Sequence, residues 1–130
     1  LRNDPRVVVL EKTNIRYLDP ARLPFVPELA TIDASFISLK LILPKVRSLI
    51  SPDGTVIALI KPQFEVGKGK VGKGGVVRSA DEHNRVVNEI SQAALGCGYR
   101  VLAVTESPLL GPKGNKEFLL HLKVDSLSTV

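Results

Sequence analysis

The chain contains no tryptophan and no methionine, a single cysteine, Cys97, and two histidines, His83 and His121. One cysteine cannot close an internal disulfide, so the fold has to be held by its core. Cys97 stands in Gly96-Cys97-Gly98 and reads as a small reduced filler near a helix end. Three scattered histidines and cysteines do not make a zinc ligand set, and no metal site is expected. No apolar run approaches the ~20 residues that a membrane span requires. The first residues do not read as a secretory leader. They carry no initiator methionine either: the chain opens Leu1-Arg2-Asn3-Asp4-Pro5 and reads as a piece of a longer protein, cut inside a domain.

What is present suits one globular unit. The 130 residues are 44% hydrophobic, enough to bury a real core. Lysine and arginine outnumber the acids 18 to 13, a net charge of +5. That balance fits a polyanionic partner without requiring one.

Residues 6–10, Arg-Val-Val-Val-Leu, form a β-branched run and predict a buried parallel strand. A polar loop follows over 11–16, then a proline-punctuated stretch over 19–27 with no long regular element. A second strand is predicted over 29–33, ending on Asp33. Ser35 or Ser38 would cap a helix over 39–50, where Leu39, Ile42, Leu43, Val46, Leu49 and Ile50 recur at helical spacing. Pro44 lies inside that pattern and predicts a kink or a late start. Ser51-Pro52-Asp53-Gly54 has turn composition. The unbroken apolar run Thr55-Val-Ile-Ala-Leu-Ile60 is a core strand, stopped by Lys61. Ser79-Ala-Asp-Glu82 matches a capping box ahead of a helix over 81–95, ended by Gly96 or Gly98. Strands over 100–105 and from about 116 to 122 flank a Pro/Gly loop. With no helix between them, these last two strands should pair antiparallel. The order predicts an α/β domain over 1–124, mostly parallel with an antiparallel last strand, and a frayed tail over 125–130.

Two glycine patterns mimic nucleotide sites. Gly67-Lys-Gly-Lys-Val-Gly72 matches G-x-G-x-x-G, yet a Pro-led loop separates it from the strand and more glycine follows in place of a helix. Residues 67–74 approach the phosphate-loop pattern, but Gly74 replaces the magnesium-binding hydroxyl. The better reading is a mobile basic loop whose Lys68, Lys70, Lys73 and Arg78 can meet nucleic-acid phosphates.

Ligands of open α/β sheets lie outside the carboxyl ends of the strands. Asp33 ends one strand, Lys61 ends another and Glu117 opens the last, so an antiparallel last strand brings all three to one edge. The plainer alternative is a structural ion pair.

The segments Thr31-Ile-Asp33-Ala-Ser-Phe-Ile-Ser38-Leu, Leu59-Ile-Lys61-Pro-Gln-Phe-Glu65 and Gly111-Pro-Lys-Gly-Asn115-Lys116-Glu117-Phe118, together with Glu11-Lys-Thr-Asn14-Ile-Arg16-Tyr17-Leu18, resemble the hemolysin A (TlyA-type) branch of the FtsJ-like RNA methyltransferases. The resemblance runs from about Arg6 to Leu122. It implies a Rossmann-like sheet lacking its first two strands, and methyl transfer from S-adenosylmethionine to a ribose 2′-hydroxyl of ribosomal RNA. It assigns Asp33, Lys61 and Glu117 to the family's Lys-Asp-Lys-Glu catalytic set, the first lysine having no match in this chain.

On that reading Lys61 positions or deprotonates the hydroxyl, and Asp33 and Glu117 fix its ammonium. Glu11, Asn14, Asp33 and Ala34 are the expected cofactor contacts. Phe64, Lys116 and the basic loop are the expected RNA contacts. The family's remaining cofactor loop lies upstream, so the piece alone is expected to bind S-adenosylmethionine poorly, and its open sheet edges invite self-association. The cytoplasm, or a plastid in a plant, is the expected location. A pore-forming role finds no segment suited to membrane insertion. A non-catalytic RNA-binding module of the same fold is the competing reading.

Overall fold

A computed structural model describes residues 2–67 and 71–125. Among these residues four strands, β1 (Leu29–Ile32), β2 (Thr55–Ile60), β3 (Tyr99–Glu106) and β4 (Phe118–Val124), form one sheet in the order β1-β2-β4-β3. β1 and β2 are parallel, while β4 runs antiparallel to both of its neighbours. Three strands therefore share one direction, and the single reversed strand is interior. Helices α1 (Leu39–Leu49) and α2 (Ala80–Gly96) connect them.

Burial alternates along the two central strands. Val56, Ala58 and Ile60 of β2 lie opposite Leu122, Leu120 and Phe118 of β4, on the face that α1 and α2 cover. The helices contribute Leu39, Ile42, Leu43 and Val46 from α1, and Val86, Ile90 and Ala94 from α2. Thr55, Ile57 and Leu59 point the other way and are half-buried. So the unbroken apolar run of β2 is fully covered on one face only. Tyr99 ties the layers together: its hydroxyl donates to the Leu43 carbonyl at 2.7 Å, and burial pushes its pKa well up.

Three expectations need correction. Residues 6–10 are not a strand; Val7, Val8 and Val9 are exposed. Strand preference is realised only against a neighbour, and among the described residues none pairs with this run. Asp4 instead closes a local turn, accepting from the Val7 and Arg6 amides.

Secondly, α1 starts directly after Ser38, which caps the Lys40 amide at 3.0 Å, and continues through Pro44. The proline frees the Lys40 carbonyl, and Lys40 is exposed, so water can satisfy it. Thirdly, Ser79 caps the Glu82 amide as expected, but Glu82 turns its carboxylate to Arg85. α2 ends through Gly98 at φ +96°, where the Arg47 side chain leaves no room for a Cβ.

Candidate active site at the carboxyl edge of the sheet

Parallel β1 and β2 end, and reversed β4 begins, at the same edge. Ile60 pairs with Phe118, so one step outward the chain presents Lys61 beside Glu117. Asp33 follows the last residue of β1. The Lys61 ammonium lies 2.5 Å from Asp33 Oδ1 and donates to Ser35 Oγ at 3.2 Å. The Lys61 side chain is 11% exposed and that of Asp33 71%. A pair with one partner so open to water contributes about 0–1 kcal/mol. It is a poor staple for the fold, but it holds a cation at the mouth of the sheet.

A 3-10 turn, Pro62–Phe64, follows at once, with buried Pro62 anchoring it and the Lys61 carbonyl accepting from the Phe64 amide at 2.9 Å. Each remaining side chain of Gln63-Phe64-Glu65 reaches a different element. Gln63 Nε2 donates to Glu117 Oε2 at 3.1 Å. Phe64 packs on Phe36, ring centroids 4.7 Å apart and tilted 53°. Glu65 Oε2 accepts from the Leu39 amide at 2.9 Å and so caps α1. Burial raises the Glu65 pKa, against the hydrogen bonds from Ser38 and Leu39.

Glu117 is 6% exposed. Its carboxylate fills the space over Gly111, where an added Cβ would overlap Oε2. Two residues before it, Asn115 is buried and uses its whole amide. Oδ1 accepts from the Val77 amide at 2.9 Å, and Nδ2 donates to the Gly75 and Pro112 carbonyls at 3.0 and 3.1 Å. Asn115 thus ties the end of the glycine-rich segment to the loop that carries Glu117.

Among the described residues, two cavities adjoin this edge. One of about 510 Å³ has Ser35, Phe36, Gln63, Phe64, Lys113 and Asn115 in its wall. The other, about 370 Å³, is mostly apolar and runs along β1 and α1, with Leu18, Ile32, Ile42, Asp33 and Ala34 in its wall. Asp33 stands between its own cavity and Lys61.

The sequence-derived candidates fall into groups. Asp33, Lys61 and Glu117 share the edge, with Ala34 and Phe64 lining the flanking cavities. Glu11 and Asn14 line neither cavity: Glu11 pairs with Arg2, and Asn14 Oδ1 accepts from the Arg16 amide at 3.0 Å. Lys116 pairs with Glu106 at 3.6 Å, and Arg78 is exposed. Lys68 and Lys70 lie outside the described residues, as does the Lys73 side chain; Lys73 itself opens a 3-10 turn, Lys73–Gly75. α2 starts only at Ala80, so no helix follows Gly72 directly.

Sequence reasoning gave no role to Gln63, Glu65, Asn115 or Phe36. Apart from the Asn115 bond to Pro112, the partners of Glu65, Asn115 and Gln63 are 26 to 54 residues away, beyond any local signal. Among the described residues there is no group of metal-ligating side chains and no helix long and apolar enough to cross a membrane.

The comparisons with known proteins agree with one another. The chain is 50% identical over 123 residues to the Bacillus subtilis protein "Putative rRNA methyltransferase YqxC", covering 94% of this chain and 44% of that protein. It is 46% identical over 126 residues to the Mycobacterium tuberculosis 16S/23S rRNA (cytidine-2′-O)-methyltransferase TlyA, covering 97% of this chain and 47% of that one. The chain spans about half the length of these curated relatives. A solved "Putative hemolysin" of Streptococcus thermophilus superposes with a TM-score of 0.92 at 41% identity, covering 96% of this chain and 46% of the other. The FtsJ-like methyltransferase pattern matches residues 1–124. With the shared edge of Asp33, Lys61 and Glu117 already in place, this match over nearly the whole chain shows that it belongs to the FtsJ-like methyltransferase family.

Proposed function

We propose that this chain carries the catalytic edge of an S-adenosylmethionine-dependent methyltransferase acting on ribose 2′-hydroxyls of ribosomal RNA. The observation that carries the reading is the Lys61 ammonium, held by Asp33 and Ser35 at the strand ends with Glu117 alongside. A ribose hydroxyl is a weak nucleophile. The protein therefore has to hold it in line with the donor and help it lose its proton. Lys61 is placed to do both, as donor to the hydroxyl oxygen in its charged form and as acceptor of the proton in its neutral form. Asp33 holds the amine directly, while the Glu117 carboxylate stands at the same edge, bonded by Gln63.

The residues present fit part of the cofactor. The apolar wall of the 370 Å³ cavity suits a purine, and Asp33 at its rim suits a cationic sulfonium. S-adenosylmethionine supplies an electrophilic methyl group. Asp33 and Ala34 would hold it here. Glu11 and Asn14 would join only by leaving Arg2 and the Arg16 amide. On the RNA side, Phe36 and Phe64 offer an aromatic surface to a base, with Arg78, Lys116 and the lysines of the glycine-rich segment for phosphates. Such a substrate belongs with ribosomes, in the cytoplasm or a plastid.

The test is Lys61→Ala in the intact protein. Methyl transfer should fall about 10²- to 10⁴-fold, the range of acid–base groups, with RNA affinity retained. Transfer at the parent rate would refute the role of Lys61, and an intact parent that binds RNA without transferring methyl groups would favour an RNA-binding module.

A further inference from the structure

Gln63 holds an unusual position among the described residues. Its Nε2 donates to Glu117, while its Oε1 is buried without a hydrogen-bond partner. Turning the amide over would set two acceptors face to face, so Glu117 dictates which way it points. A buried acceptor left unpaired costs about 1–3 kcal/mol and calls for a reason. Two residues earlier, the Lys61 ammonium has three N–H donors and spends them on two acceptors, Asp33 Oδ1 and Ser35 Oγ. One unspent donor and one unfilled acceptor thus belong to the same strand end, on either side of Pro62.

We infer that Gln63 is a positioning residue bridging Glu117 to Lys61: Nε2 holds the carboxylate, and Oε1 takes the third Lys61 N–H in the reacting complex. The bridge rests on the reading of Lys61 as the group that handles the hydroxyl. It acts on rate through those two side chains and touches neither RNA nor cofactor.

The test uses Gln63→Leu and Gln63→Met in the intact protein, both close to the native volume. Single-turnover transfer of a labelled methyl group is combined with steady-state titration of RNA and S-adenosylmethionine. The rate constant should fall about 10- to 100-fold, the scale of a misplaced reacting group, while both KM values stay within about 3-fold. In a Lys61→Ala background, Gln63→Leu should cost nothing further, because no ammonium remains to be positioned. A folded Gln63→Met with the parent rate overturns the proposal, even where the Leu variant unfolds. So does a loss that multiplies with that of Lys61→Ala, or one that appears in KM alone. A Lys61→Ala protein with the parent rate overturns the underlying reading first, and the bridge with it.

Discussion

Gly111→Ala isolates the seat of Glu117. Gly111 has φ −79° and ψ −169°, extended backbone that alanine adopts freely. Any cost must therefore come from the new methyl group, which would overlap Glu117 Oε2 and its Cδ. The carboxylate is buried and cannot simply swing into water. Displacing it breaks the bond from Gln63 and leaves a buried amide N–H unpaired. A hydrogen bond to a charged group contributes about 1.5–3 kcal/mol, and overpacking falls in the same range.

Because the obstruction is the flexible end of a side chain, about 2 kcal/mol is the expected loss, measured by urea denaturation. For a domain of this size that is roughly 6–10 °C in Tm. The control is Glu117→Ala, which empties the seat. In that background Gly111→Ala should cost less than about 0.5 kcal/mol, since the methyl now fills vacated space. An equal cost in both backgrounds would refute the reasoning and move the cause to the backbone.

Two further substitutions test the supports of the site. Asn115→Ala removes three side-chain hydrogen bonds and strands the buried Val77 amide. It should cost about 2–4 kcal/mol, and amide exchange should rise at residues 75–77 before the rest of the sheet opens. Glu65→Gln tests the acid at the start of α1. The folded pKa of Glu65 is raised above its ordinary 4.5, so the folded state holds the proton more tightly. That contribution is complete below 4.5 and is lost as pH rises through the folded value. Glutamine keeps the oxygen that caps Leu39 and cannot ionise, so stability measured by denaturation should fall less with rising pH in Glu65→Gln than in the parent. Parallel curves would refute the assignment.

How much of this was legible depended on the range of the interaction. The turn at Ser51, the caps at Ser38 and Ser79 and the apolar period of α2 are written within a few residues of themselves, and they folded as read. The antiparallel pairing of the last strands followed from the absence of a helix between them, and this pairing put Glu117 at the edge of Lys61. Residues 6–10 misled because β-branched composition states a preference and cannot supply the neighbour it needs. Pro44 misled in the opposite sense, since an exposed carbonyl tolerates losing its donor. Glu65, Asn115 and Gln63 act across loops, and no local pattern distinguishes a solvated glutamate from one capping a helix 26 residues upstream.

The carboxyl edge also departs from what stability alone would select. Phe36 sits at φ +63° while 88% exposed, a left-handed conformation that costs a bulky side chain about 1–3 kcal/mol. Gln63 Oε1 is buried and unpaired, Glu117 is a buried carboxylate, and the Lys61 stem is packed under an exposed partner. Away from this edge, the helix caps and the interlocked faces of β2 and β4 obey the ordinary local rules. Lys12 and Asp53 adopt the left-handed conformation elsewhere, but several unfavourable choices together on the ends of three strands, and on one turn between them, are the pattern expected where folding energy is given up for chemistry. If that is their origin, Gln63→Met should cost less stability than the about 1.5–3 kcal/mol of its lost bond to Glu117, because the unpaired Oε1 leaves with it, while methyl transfer slows. Replacements inside the β2–β4 core offer no such trade, because there every buried atom already works for the fold.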